Sequence, residues 1–74
     1  MTITPEQCRM ARAALHISLK KLAELSGLSH MTINRFENGH TYSEDTARTL
    51  RSTLEKAGVA FLDENGGGVK LKAR

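Results

Sequence analysis

The chain has 74 residues and a mass of 8.1 kDa, enough for one small domain hiding roughly 60% of its unfolded surface and too short for a two-domain enzyme. Hydrophobic residues make up 39% and charged residues 26%, and no apolar run approaches the ~20 residues of a membrane span, so the composition is that of a soluble, folded protein. Eleven Lys or Arg against eight Asp or Glu give a net charge of +3 and an isoelectric point near 9.4, which permits a polyanionic partner without requiring one.

Thr4-Pro5-Glu6-Gln7 predicts a helix start from Pro5: a Thr cap, Pro at the first helical position, an acid in the first turn and Gln placed for a capping box. Cys8, Ala11 and Leu15, with Ala14 beside them, form its apolar stripe, and Glu6, Arg9 and Arg12 lie off it. Ser18 caps the next helix, with Ile17 and Leu22 spaced as a hydrophobic staple; Ser29 repeats the device between Leu28 and Ile33. Between the two caps Gly27 sits where a helix ends in a left-handed turn, and Gly39 can end the third helix, expected from about His30 to Asn38. Ser43-Glu44-Asp45 starts a fourth helix that Gly58 stops, with Ala47, Leu50, Leu54 and Ala57 facing inward.

After Gly58 the period changes. Val59-Ala60-Phe61-Leu62 is a short apolar run and Val69-Lys70-Leu71-Lys72 alternates, with a turn-rich connection from Asp63 to Gly68. Two strands are expected, which must pack on the helices or pair with a second chain because a lone hairpin is marginal in water; the alternative is a frayed tail.

The stretch SLKKLAELSGLSHMTINRFENG, Ser18 to Gly39, resembles the helix-turn-helix of the Xre/Cro family of phage and bacterial DNA-binding regulators, the lambda-repressor-like fold. The resemblance rests on Leu22-Ala23, on Gly27-Leu28-Ser29 at the turn, on Ile33, and on Phe36-Glu37-Asn38-Gly39. It covers about residues 4–58, while the tail at 59–74 is similar to only a subset of small members. The expected fold is therefore mainly α, a four-helix domain with a short C-terminal two-stranded β extension.

A helix that reads DNA must be pinned so that its first turns enter the major groove. With residues 30–37 set about 100° apart, His30, Met31, Asn34 and Arg35 share one exposed arc, while Ile33 and Phe36 point the other way. Arg35 suits bidentate bonds to guanine, Asn34 suits adenine, and Met31 suits a thymine methyl. The alternatives are solvated side chains for Arg35 and Asn34, and packing against the preceding helix for Met31. Thr32, at the edge of the arc, suits a phosphate or methyl contact, the capping role being filled by Ser29. The resemblance places Ser18, Lys20, Lys21, Asn38, His40, Thr41 and Ser43 at helix starts and turns where family members contact phosphates, positions where backbone N–H groups also favour anions.

Two positions depart from the family pattern. Leu19 stands where Gln is common, removing one anchoring contact, and His16 replaces the Gly that often closes the first helix, so that turn is expected to be strained or differently shaped. Leu15, Leu22, Ala23, Leu28, Ile33, Phe36, Leu50 and Leu54 are expected in the core, with Glu37 as a partner for a basic residue, and Cys8 reads as a small buried hydrophobe.

No nucleophile motif, phosphate-binding glycine loop or metal-ligand spacing occurs, so no enzyme, cofactor or metal is expected. Three aromatic residues, Phe36, Tyr42 and Phe61, are too few for a base-stacking single-strand binder. The expected function is a sequence-specific double-stranded DNA-binding regulator, a repressor acting as a homodimer on a pseudo-palindromic operator. Val59, Phe61, Leu62, Val69 and Leu71 are the expected dimerisation residues, with the fourth helix as the alternative surface. The rival is a protein-interaction module, an antitoxin or adaptor on the same fold; a mixed role would add a regulatory protein contacted through the tail. Residues 1–6 lack the features of a secretory signal and Cys8 has no internal partner, so the expected compartment is a bacterial or phage-type cytoplasm, at the nucleoid and away from membranes.

Overall fold

A computed structural model describes residues 2–40, 42–62 and 67–72. Four helices, α1 (Pro5–Leu15), α2 (Leu19–Ser26), α3 (His30–Glu37) and α4 (Glu44–Ala57), precede two strands, β1 (Val59–Leu62) and β2 (Gly68–Leu71). Each helix begins at the hydroxyl expected to cap it. The side-chain oxygens of Thr4, Ser18, Ser29 and Ser43 accept the backbone N–H of Gln7, Lys21, Thr32 and Thr46, and Thr4 and Gln7 close a full capping box. Such caps stabilise by ~1 kcal/mol each, which matters for eight-residue helices that would not form alone.

The helix ends are equally local. Gly27 (φ 77°) and Gly58 (φ 118°) adopt the left-handed conformation. Helix α3 stops one residue earlier than expected, with Asn38 as its cap; the Gly39 N–H then bonds to Phe36 O and the His40 N–H to Arg35 O, through a Gly39 at φ 72°. Helix α1 ends the same way, with His16 N–H to Ala13 O and Ile17 N–H to Arg12 O, but here His16 itself takes φ 57°, ψ 40°. The strain expected from the missing glycine is therefore present as a left-handed His.

The core is formed by Ile3, Cys8, Ala11, Leu22, Ile33, Phe36, Ala47, Leu50, Leu54, Val59 and Phe61. Leu15, Ala23 and Leu28, expected within it, are half-buried at its margin. Ala57, expected to face inward, is exposed: it lies at the last turn of α4, where the chain breaks at Gly58, and lines an open groove with Leu25, Thr53 and Lys56.

Strands β1 and β2 pair antiparallel within the chain, with Val59 opposite Leu71 and Phe61 opposite Val69. Strand β1 packs on α4 and α1, and β2 packs on α1. The Gln7 amide nitrogen donates to both Leu62 O and Gly68 O, at 3.0 and 3.3 Å, joining the capping box of α1 to the two strands. Val59 and Phe61, expected as dimer contacts, are 0% and 8% exposed and belong to the chain's own core. Leu62 and Leu71 are exposed and Val69 is half-buried. Most of the 63–68 connection, residues 63–66, lies outside the described residues.

Candidate nucleic-acid interface

The turn between α2 and α3 holds the second helix in a fixed pose. Leu22 and Ile33 are fully buried four residues after their respective caps, with Ile17 and Leu28 packed against the core just before those caps. Ser26 Oγ donates to Ala23 O and accepts the Leu28 N–H, closing the chain on either side of Gly27. Leu19, which cannot make the polar contact of a Gln, packs against the core. On α3, Ile33 and Phe36 point inward while His30, Met31, Asn34 and Arg35 are all exposed, Met31 at 61%. Met31 is therefore not part of the core.

Two side chains at this helix are tied up locally. The Ser29 hydroxyl donates to Thr32 Oγ1 at 2.8 Å while accepting the Thr32 N–H, so the half-buried Thr32 shares in the cap that Ser29 was expected to form alone. Asn38 Nδ2 donates to both Asn34 Oδ1 and Asn34 O at 2.9 Å. That bond orients the Asn34 carboxamide from one turn below. Among the described residues the Arg35 side chain makes no hydrogen bond or ion pair; it lines a small cleft of about 140 Å³ with Thr32, Phe36, Ser43 and Thr46, between α3 and the start of α4.

The charge pattern separates the helices into two kinds. Helices α1 and α4 carry acids in their first turns, Glu6 and then Glu44 with Asp45, whereas α2 and α3 carry none. The positive dipole ends of α2 and α3 thus have no carboxylate in their own first turns, and exposed Lys20 and Lys21 add to the first. Ser18 is the α2 cap and Ser43 the α4 cap; Asn38 and His40 are exposed after α3; Thr41 lies outside the described residues.

The closing end of α3 is anchored by a buried ion pair. Glu37, 4% exposed, accepts two bonds from Arg12, Nε to Oε2 and Nη2 to Oε1, both at 2.9 Å. Its carbonyl accepts from Arg9 Nη1 at 2.6 Å, and the Cys8 thiol donates to Oε2 at 3.4 Å. Burial, with the Glu37 carboxylate beside it, pushes the Cys8 thiol far above its ordinary ionisation range, so Cys8 is held as a neutral donor. The connection from α3 to α4 is fixed by Tyr42, whose ring lies 5.5 Å from that of Phe36 and whose hydroxyl donates to Glu44 at 2.6 Å while accepting the Thr2 N–H. Local patterning carries no signal for that contact, because Thr2 and Tyr42 meet across 40 residues.

The helix-turn-helix family's sequence pattern matches residues 9–57. None of the curated proteins compared with the chain matches it. The family match takes in more than half of the chain, from the middle of α1 to the last residue of α4, and with it the chain belongs to the Xre/lambda-repressor-like family of DNA-binding helix-turn-helix proteins.

Proposed function

We propose that the protein is a sequence-specific regulator of transcription, a repressor that reads double-stranded DNA through His30, Met31, Asn34 and Arg35. The observation that carries this reading is the division of α3 into a buried face, Ile33 and Phe36, and an outward polar arc on a helix pinned at both ends. A reader needs that rigidity, since one wrong base costs only ~1–3 kcal/mol and a loosely held helix would blur the difference. Ser18, Lys20, Lys21, Thr32, Asn38, His40, Thr41 and Ser43 serve as backbone contacts that set the register, the first four of them at the starts of α2 and α3.

One such helix touches few base pairs, so specificity against a genome calls for two copies on an inverted repeat, with half-sites ~34 Å apart. The helix-turn-helix unit spans residues 4–58, and the copies meet through α4. No helix is long and apolar enough to cross a membrane among the described residues, and the reading places the protein in the cytoplasm with the nucleoid.

Selecting bound duplexes from a random pool tests the proposal. An enriched inverted repeat, bound with an affinity that falls steeply with salt, is expected; no enrichment at low salt would instead mark an adaptor of the same fold. In the selected operator, Arg35→Ala should cost ~1–3 kcal/mol and relax preference at one position. An unchanged base preference would remove Arg35 from the reading set.

A further inference from the structure

The hydrogen-bond parity of the hairpin determines which backbone groups it leaves unused. The Lys72 N–H bonds to Gly58 O at 2.8 Å, and the register pairs Val59 with Leu71 and Ala60 with Lys70. Bonded and non-bonded pairs alternate along an antiparallel ladder, so Lys70, like Lys72, bonds inward to β1 while the N–H and C=O groups of Val69 and Leu71 point away from it. Among the described residues those four groups have no hydrogen-bond partner. Strand β1 lies against α4 with Val59 and Phe61 buried, whereas Lys70, Leu71 and Lys72 on the β2 side are exposed, Leu71 at 56%.

We propose that the outer edge of β2 is a docking strand for an extended, acidic segment of a partner protein, in which acidic and apolar residues alternate. Backbone groups at Val69 and Leu71 would add the incoming strand to the sheet. The two faces of that strand then meet different chemistry. Lys70 and Lys72 stand on one face, and Val69 and Leu71 continue the apolar face begun by Val59 and Phe61 on the other. Carboxylates on alternate residues match the first face, and apolar side chains covering Leu71 match the second. The Lys72 ammonium now rests on the Glu55 carbonyl at 3.3 Å, an exposed contact that a carboxylate can replace.

A second copy of this chain suits the same edge poorly. Two-fold pairing with Leu71 opposite Leu71 sets Lys70 against Lys72, and pairing Leu71 with Val69 sets Lys70 against itself; like charges directly opposed are destabilising. Pairing centred on Val69 avoids this, but it sets Leu71 against Gly67 and Lys70 against Gly68, so no side chain covers the exposed leucine. Edge lysines are a common guard against self-pairing, and the same guard selects a partner of opposite sign. This inference does not depend on which bases α3 reads.

The test is a titration of the ¹⁵N-labelled full chain with a capped five-residue peptide alternating Val and Glu, followed through backbone amide shifts. Saturable shifts centred on the Val69 and Leu71 amides are expected. They should weaken at least tenfold in Lys70→Glu and disappear with a peptide methylated at the amide nitrogens that face β2. Three results would overturn the proposal: no shift at millimolar peptide, equal binding of the Val-Lys peptide, or the same shifts produced by raising protein concentration alone, which would assign the edge to a second copy. Shifts at Val69 and Leu71 on adding random-sequence duplex would reassign the lysines to DNA. The fold of Lys70→Glu is checked by its unaltered amide spectrum away from β2.

Discussion

Glu37 occupies an unfavourable place for a carboxylate, buried at the C-terminal end of α3 where the helix dipole is negative. It is tolerable only because Arg12 covers both carboxylate oxygens and Arg9 takes the adjoining carbonyl. The two partners are not equivalent. Arg12 is 24% exposed and can turn to water if Glu37 is lost, whereas Glu37 at 4% cannot do so if Arg12 is lost. Arg12→Ala should therefore cost ~3–5 kcal/mol, and Glu37→Gln distinctly less. Urea unfolding measures both; equal losses would mean the carboxylate finds another partner. His16 is a second exceptional residue, a non-glycine in the left-handed region. Relieving that conformation gains ~1–2 kcal/mol, and the extra unfolded-state freedom of glycine takes back ~0.4–1 kcal/mol. His16→Gly should thus stabilise by about 0.5–1 kcal/mol, seen as a rise of a few degrees in Tm, and a fall in Tm would show that the imidazole makes a compensating contact.

At the level of elements, the four helices were legible because their boundaries are chemical: a hydroxyl before each and a left-handed or turn residue after each. The outward arc of α3 was legible for a related reason, since a 3.6-residue period decides which side chains share a face. What local pattern does not carry is contact between distant segments. Ile3, fully buried, and Gln7, clamped to the hairpin, both lie near the N-terminus, and their partners come from later elements. The strap formed by Thr2 belongs to the same class: its N–H meets Tyr42 and Glu44, and its carbonyl accepts from Arg51 at 2.8 Å. The strap has a pH signature. The Tyr42 hydroxyl and the Thr2 N–H hold the Glu44 carboxyl below its ordinary range, so its contribution to stability is complete above the unfolded value and is lost as pH falls through the folded one. Burial and the Glu44 bond raise Tyr42, whose contribution is complete below its ordinary value of 10 and is lost as pH rises through the higher folded value. Tyr42→Phe should reduce the fall in unfolding free energy between about pH 5 and pH 3 and abolish the alkaline component; an acid limb identical to that of the parent would show that Thr2 alone holds Glu44.

For the whole molecule, the decisive fact is how small it is. A domain of this length has only ~5–15 kcal/mol of net stability, and the helices alone leave the inner faces of α1 and α4 uncovered where the hairpin now sits. Phe61 closes that gap, its ring buried on one side and 5.6 Å from the Arg51 guanidinium on the other, while Arg51 also bonds Thr2 and Glu55. The hairpin therefore acts through the core that it shares with α1 and α4. Phe61→Ala removes a buried ring and leaves a cavity between β1 and α4, for an expected loss of ~3–5 kcal/mol, a large fraction of the total. Thermal unfolding should show one cooperative transition at a much lower midpoint, with α3 and the hairpin melting together. A variant that lost the hairpin amides first, while α1 to α4 stayed protected from hydrogen exchange, would show instead that the helices hold α3 in place without it.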